Sequence, residues 1–293
     1  MARFGSVITA MVTPFNDDYS LDLDGAQELA RYLLGNGSDG LVVTGSTGEA
    51  PTLTHREKTD LYRAVVEAAE GRGRIIAGTG TYDTAETIEL TRQAEAAGVD
   101  GALVVTPYYN RPPQRGLMAH FTKVAGSTGL PVLLYNIPSR TATLIEADTL
   151  LRLAEVENIV GVKDATADFQ TAARIIAESP PAFELYSGDD WATFNFVTLG
   201  AEGVISVASH LVGDRMSEMI SLCKTGDISG ALKIHTALLP LFKALFVTSN
   251  PIPLKVAMEI AGRQVGPPRL PLVPATPEER GTVERAMREL GLV

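Results

Sequence analysis

One pattern recurs eight times along this chain and limits what it can fold into. A short apolar run is followed each time by a stretch with helical spacing. The runs begin near Val7, Leu41, Ile75, Ala102, Val132, Ile159, Phe183 and Val204. Between them lie stretches such as "LDGAQELARYLLGNG", "HREKTDLYRAVVEAAEG" and "AETIELTRQAEAAG", whose apolar residues fall on one helical face. Glycines before the following strands, at Gly37, Gly98, Gly129 and Gly200, fit left-handed helix stops. Strand and helix alternating in this way imply parallel strands joined by crossovers. Eight units in about 210 residues favour a closed (β/α)8 barrel, which typically takes about 250 residues. An open doubly wound sheet is the alternative, but it usually has fewer strands.

After Val207 the pattern changes. "DRMSEMISLCKTG", "ISGALKIHTALLPLFKALFV", "PIPLKVAMEIAG" and "TPEERGTVERAMREL" read as helices with no strands between them. Asn250 and Pro251 read as an N-cap and a first-turn proline. "GPPRLPLVPATP" is too rich in proline for a helix and reads as a linker. The expected organisation is a catalytic barrel over residues 1–225 and a helical appendage over 226–293.

The formal net charge of −10 argues against nucleic acid or an anionic membrane as partner. It does not bear on a small anionic substrate, which a few local cations can hold. "MARFGSVITAMVTPF" has no sustained apolar core, so no secretion signal is expected. No segment has the uninterrupted apolar length of a membrane span. Cys223 is the single cysteine, which rules out an internal disulfide and a cysteine metal cage. His55, His120, His210 and His235 show no ligand spacing, so no metal is expected. These features suit the cytoplasm.

"IVGVKDAT", residues 159–166, places one lysine at the end of an apolar run. Alternation puts Ile159, Gly161 and Lys163 on one face and Val160 and Val162 on the other. A lone lysine at a strand end usually reaches solvent. Here the other strand ends also carry polar groups: "VVTGSTGEAP", "VVTPYYNRP", "LLYNIPSRT", "YSGDD" and "VISVASH". Active sites of such barrels lie at the carboxyl ends of the strands. Tyr135, inward on the fifth strand by the same alternation, should therefore neighbour Lys163. Burial in a barrel mouth disfavours the ammonium and yields a free amine able to attack a ketone. Ser46 and Thr47 in "GSTGE" sit in a tight turn read as opening a helix, whose backbone N–H groups suit a carboxylate. The pieces point to a keto-acid held by its carboxylate at Ser46 and Thr47, with its ketone at Lys163 and a phenol moving protons. "GTGTYD" lacks the third glycine of a dinucleotide fingerprint, and no nucleophile elbow or Walker loop is present.

"GSTGE", "TPYYNRPPQ", "YNIPSRT", "GVKDA", "SGDD" and "GVISV" occur in an order and spacing that resemble the dihydrodipicolinate synthase family, over essentially the whole chain. "GxxGE" and the strand-six lysine are shared with the wider pyruvate-dependent aldolases. "PYYN" and "YNIPSRT" are more specific. The resemblance implies condensation of pyruvate with L-aspartate-4-semialdehyde in the diaminopimelate branch of lysine biosynthesis. By motif match Lys163 looks like the Schiff-base lysine, with no cofactor beyond the imine it forms with pyruvate. Tyr135, Ser46 and Tyr109 look like a proton relay, Tyr109 reaching in from a neighbouring subunit of a tight dimer within a homotetramer. Thr47 matches the pyruvate-carboxylate position, Arg140 the residue holding the semialdehyde carboxylate, and Gly188 and Ile205 the backbone positions lining the site. The family usually has threonine where this chain has Ser46. An aldolase for a sugar acid and a non-catalytic keto-acid sensor are the competing readings; Arg140 in "PSRT" speaks against the first and the intact Lys163, Tyr135 and Tyr109 against the second.

In lysine-inhibited members, free lysine binds at the dimer interface. Here His55, Glu86 and Tyr108 match that pattern, but Lys58 stands where a second histidine would be and Tyr82 replaces an asparagine. Weak or absent inhibition by L-lysine is expected.

Overall fold

The eight apolar runs become eight strands: β1 (Val7–Ala10), β2 (Gly40–Val43), β3 (Arg74–Gly78), β4 (Gly101–Val105), β5 (Val132–Asn136), β6 (Ile159–Asp164), β7 (Glu184–Ser187) and β8 (Gly203–Ser206). Each pairs in parallel with its sequence neighbours, and β1 also pairs with β8, closing the barrel. The computed structural model describes residues 2–293. Between the strands run α1 (Leu23–Leu34), α2 (His55–Ala69), α3 (Thr84–Ala96), α4 (Gln114–Ala125), the short α5 (Pro138–Thr141), α6 (Ala147–Leu153), α7 (Phe169–Glu178) and α8 (Thr193–Leu199). All residues of β1, β2, β5, β6 and β8 are buried, because helices cover one face and the barrel interior the other.

The apolar residues accordingly split into two cores. Ile8, Val42, Ile76, Leu103, Leu133 and Ile205 fill the barrel, with Phe4 among them ahead of β1. Val7, Leu41, Ile75, Leu134 and Val204 face the helices. The alternation expected of β6 is broken at its start. Val132 pairs with Ile159 but Leu133 with Gly161, so Val160 is an extra residue in a bulge. Val160 therefore joins the inner core and Ile159 the outer one, the reverse of the simple reading. Of the four glycine stops, Gly37, Gly98 and Gly200 have positive φ but Gly129 does not; α4 ends at Gly126 instead.

After β8, α9 (Ser209–Thr225) completes the ring, and α10 (Ile228–Ala244), α11 (Ile252–Ile260) and α12 (Pro277–Glu289) follow. Leu238, Leu241, Met258, Val283 and Met287 join the outer core, so the C-terminal helices share one apolar interior with the barrel. The proline-rich stretch between α11 and α12 is free of helix and strand. Its Arg269 donates to the carbonyls of Tyr19 and Thr52 and to Glu57 Oε1 at 2.6 Å. Among the described residues no helix is long and apolar enough to cross a membrane.

Candidate active site

Lys163 lies near the carboxyl end of β6, directly between Tyr135 on β5 and Tyr186 on β7 in the sheet register. It is 5% exposed. Its Nζ sits 4.3 Å from the centre of the Tyr135 ring. Burial is the main influence on the amine and brings its pKa down to about 8. Asp189 and Asp190 act against that fall and Arg140 adds to it. An ordinary lysine is neutral in fewer than about one molecule in a thousand at pH 7, and a pKa near 8 raises that to about a tenth.

Tyr135 is itself buried, and burial pushes its phenol well above the usual tyrosine range, so it stays protonated and can donate. The Arg140 charge and the Ser46 hydroxyl act in the opposite direction. Beyond β7, Asp189 is raised to about 6, first by burial and then by the neighbouring Asp190. Asp190 is buried and accepts from Ser206 Oγ at 2.5 Å and from the amides of Val207 and Ala208. These bonds pin the end of β8 beside Ile205. Gly188 donates its N–H to the Asp164 carbonyl at 2.6 Å. A Cβ there would stand 2.7 Å from that of Ala165, so the approach of the two chains requires glycine.

Ser46 and Thr47 begin a turn closed by the Glu49 N–H donating to the Ser46 carbonyl at 3.2 Å. The turn does not open an α-helix, as the sequence suggested. Glu49 takes a left-handed conformation, φ 54°, and a short 3₁₀ helix over Ala50–Thr52 follows. α2 starts only at His55, where Thr54 and Glu57 form a capping box. The amide donors at Ser46 and Thr47 are therefore those of a turn, without an aligned α-helix behind them.

Thr47 Oγ1 accepts from Asn250 Nδ2 at 2.8 Å, and the Asn250 carbonyl accepts from Arg140 Nη2 at 3.3 Å. Asn250 thus joins the two residues expected to hold the two substrate carboxylates. It is not the N-cap of α11; its side chain turns inward, and Pro251 occupies the cap position. Its buried Oδ1 has no partner within the protein. Sequence reasoning missed this role because an Asn-Pro pair before a helix looks like local capping chemistry.

Ser46, Tyr135, Arg140 and Asn250 line a cleft of about 570 Å³. The same cleft runs on past His55, Lys58, Tyr82, Glu86 and Tyr108. Ser46, Tyr135 and Arg140 thus line one cleft, which Lys163 adjoins through the Tyr135 ring and Thr47 through Asn250, while Gly188 after β7 and Ile205 on β8 lie outside its lining. Tyr109 stands apart from them. It follows β4 at φ 71° and is 93% exposed, outside the cleft of its own chain.

The model of the dihydrodipicolinate synthetase family matches residues 3–290. The 4-hydroxy-tetrahydrodipicolinate synthase of Moorella thermoacetica is 53% identical over 99% of this chain and 100% of its own length. That of Heliobacterium modesticaldum is 50% identical over 99% of this chain and 97% of its own. Among solved structures, the dihydrodipicolinate synthase of Cyanidioschyzon merolae with lysine bound superposes with a TM-score of 0.99. It is 44% identical, with both chains covered in full. A barrel closed in this order, a buried lysine against a tyrosine at its mouth and full-length relatives of one kind agree: the chain belongs to the dihydrodipicolinate synthetase family.

Proposed function

We propose that this enzyme is a lyase that makes 4-hydroxy-tetrahydrodipicolinate from pyruvate and L-aspartate-4-semialdehyde through an imine on Lys163. The observation that carries the reading is the unpaired, buried amine of Lys163 against the Tyr135 ring. The free amine adds to the pyruvate ketone, and loss of water leaves the imine. The proton needed by the departing hydroxyl comes from Tyr135, which burial keeps protonated. Pyruvate's carboxylate rests at the Ser46–Thr47 turn. Loss of a methyl proton gives an enamine, whose carbon bonds to the aldehyde carbon of the second substrate. That substrate's own amine then displaces Lys163 and closes the ring, returning the lysine free. Arg140, at the cleft wall, holds the second substrate's carboxylate as a charge-assisted pair. The outward stance of Tyr109 supports its use by a neighbouring subunit, which would complete the relay with Ser46 and Tyr135 in a tight dimer of a homotetramer. A single cysteine, Cys223, suits a reducing compartment, and we place the enzyme in the cytoplasm. The test is borohydride reduction with pyruvate followed by peptide mass mapping. One adduct on Lys163 is expected, and an intact enzyme that takes up none overturns the reading.

A further inference from the structure

Glu49 closes the "GSTGE" turn, yet nothing in the chemistry above uses it. Its side chain is fully enclosed, and so nearly is that of Lys255 on α11; their charged atoms meet at 2.9 Å. The second carboxylate oxygen of Glu49 accepts the Arg269 amide at 2.8 Å. Lys255 Nζ also donates to the Pro267 carbonyl at 3.0 Å and lies over the Phe15 ring. Both partners of Glu49 thus come from the C-terminal region, while Glu49 itself ends the turn that presents Ser46 and Thr47.

We infer that the buried Glu49–Lys255 pair is a positioning clamp, through which the C-terminal helices set the turn that receives the pyruvate carboxylate. A buried ion pair is weak support for stability, since an apolar replacement is often as stable. What it fixes well is geometry. Glu49 is not glycine, yet it holds a left-handed φ of 54°, which persists only when its surroundings impose it. On the other side of the turn, Thr13 Oγ1 donates to the Gly48 carbonyl at 2.7 Å, so the turn is gripped from the barrel as well. Without the pair, the barrel-side bond, the Arg269 amide and the Asn250 bond to Thr47 remain, but the contact from α11 that fixes the Glu49 side chain is lost.

The functional half of this inference rests on the pyruvate reading above, and the experiment keeps the two apart. The variant is Glu49→Gln/Lys255→Met, which removes both charges and leaves neither buried alone. Glu49→Gln alone, which keeps shape and the acceptor for Arg269, is the second variant should the first fold poorly. Hydrogen exchange at the Glu49 and Ala50 amides should quicken about tenfold or more, as local opening of the turn becomes easier, with protection in β5 and β6 unchanged. Unchanged exchange at those two amides overturns the clamp, whatever the substrate. The Michaelis constant for pyruvate should rise about tenfold while that for the semialdehyde stays within about twofold, because misplacing one binding group penalises one substrate. A loosened turn with an unchanged pyruvate constant overturns the functional half. Failure of the intact enzyme to form any pyruvate adduct overturns the reaction proposed above, and the exchange result then decides the clamp alone.

Discussion

Lys163 and Lys255 are buried to nearly the same degree, at 5% and 4% exposure. Both carry an aromatic ring against the ammonium, Tyr135 for one and Phe15 for the other. Both have pKa values lowered by burial. They differ in their polar contacts: Lys255 Nζ donates to the Pro267 carbonyl at 3.0 Å and meets a carboxylate, and Lys163 has no such partner among the described residues. Lys255 has the Glu49 carboxylate at 2.9 Å, which works directly against the fall that burial causes. Lys163 has carboxylates only at a distance, in Asp189 and Asp190. Burial alone therefore does not make a nucleophile. A paired ammonium is a strut; a buried amine whose counter-charges are held off can lose its proton and react.

The largest expected effect breaks this comparison directly. Lys163→Ala should lower turnover by on the order of 10³-fold or more, as removal of a covalent nucleophile does. It should also abolish the borohydride-trapped pyruvate adduct, with Lys255 and Lys58 left unmodified although burial lowers the pKa of both. An adduct that moves to Lys255 would show that the carboxylate is not what silences it.

Next come the two residues proposed to carry protons. Tyr135→Phe and Ser46→Ala should each slow turnover by about 10²- to 10⁴-fold, the usual contribution of a positioned proton donor. Ser46→Thr should keep most of the rate, since the hydroxyl stays and the added methyl only stiffens χ1. Full activity in Ser46→Ala would remove that hydroxyl from the relay. Arg140→Ala should be milder and selective. Loss of a hydrogen bond to a charged group costs about 1.5–3 kcal/mol, so the semialdehyde constant should rise by about 10- to 100-fold. Pyruvate adduct formation should persist, and its equal loss would assign Arg140 to the wrong substrate.

The distant carboxylates give a smaller effect, in pH. Imine formation needs the neutral amine, so its rate should climb with pH up to about 8 and level off above. Asp189 stabilises the ammonium. In Asp189→Asn the amine should lose its proton more readily, and the rising limb should move to lower pH by about one pH unit. Below about pH 6 Asp189 is itself protonated, so the two profiles should converge there. A limb that stays in place would show that Asp189 does not set the lysine.

How much of this was legible in the sequence follows from the range of the forces involved. Period and punctuation are local, so the eight strands and the inward end of β6 could be read directly. Lys163 and Tyr135 could be paired because neighbouring parallel strands share a register. The bulge at Val160 was not legible, because an extra residue in an apolar run leaves the run looking the same. Nor was the start of α2: "GSTGE" resembles a helix opening, while the left-handed Glu49 is dictated by Lys255 and Arg269 from far along the chain. Asn250 was misread for the same reason. Its local sequence fits a cap, and only the folded chain brings it to Thr47. Contacts between distant segments leave no mark on local periodicity.

A third buried lysine extends the comparison into regulation, with the smallest effect. Lys58 on α2 is 7% exposed and lines the far end of the active-site cleft. Burial lowers its pKa and the Glu86 charge works against that fall. Glu86 is already engaged by His55, whose Nε2 lies 3.0 Å from its Oε1. Tyr82 meets Tyr108 edge-on at 5.4 Å between ring centres and narrows the same wall. A free lysine entering here would bring an ammonium toward Lys58. Two unit charges about 4 Å apart repel by about 4 kcal/mol at an effective dielectric of 20. Tyr82 also lacks the amide carbonyl that could accept from that ammonium. Glu86 remains attractive, and a Lys58 that sheds its proton repels less, so residual weak binding fits the same geometry. Millimolar L-lysine should therefore inhibit the intact enzyme little or not at all. Lys58→His/Tyr82→Asn removes the fixed charge and restores an acceptor, and it should become the more sensitive protein in an activity assay titrated with L-lysine. Strong inhibition of the intact enzyme at submillimolar lysine would refute the charge argument and show that Lys58 does not repel a ligand ammonium in this wall of the cleft.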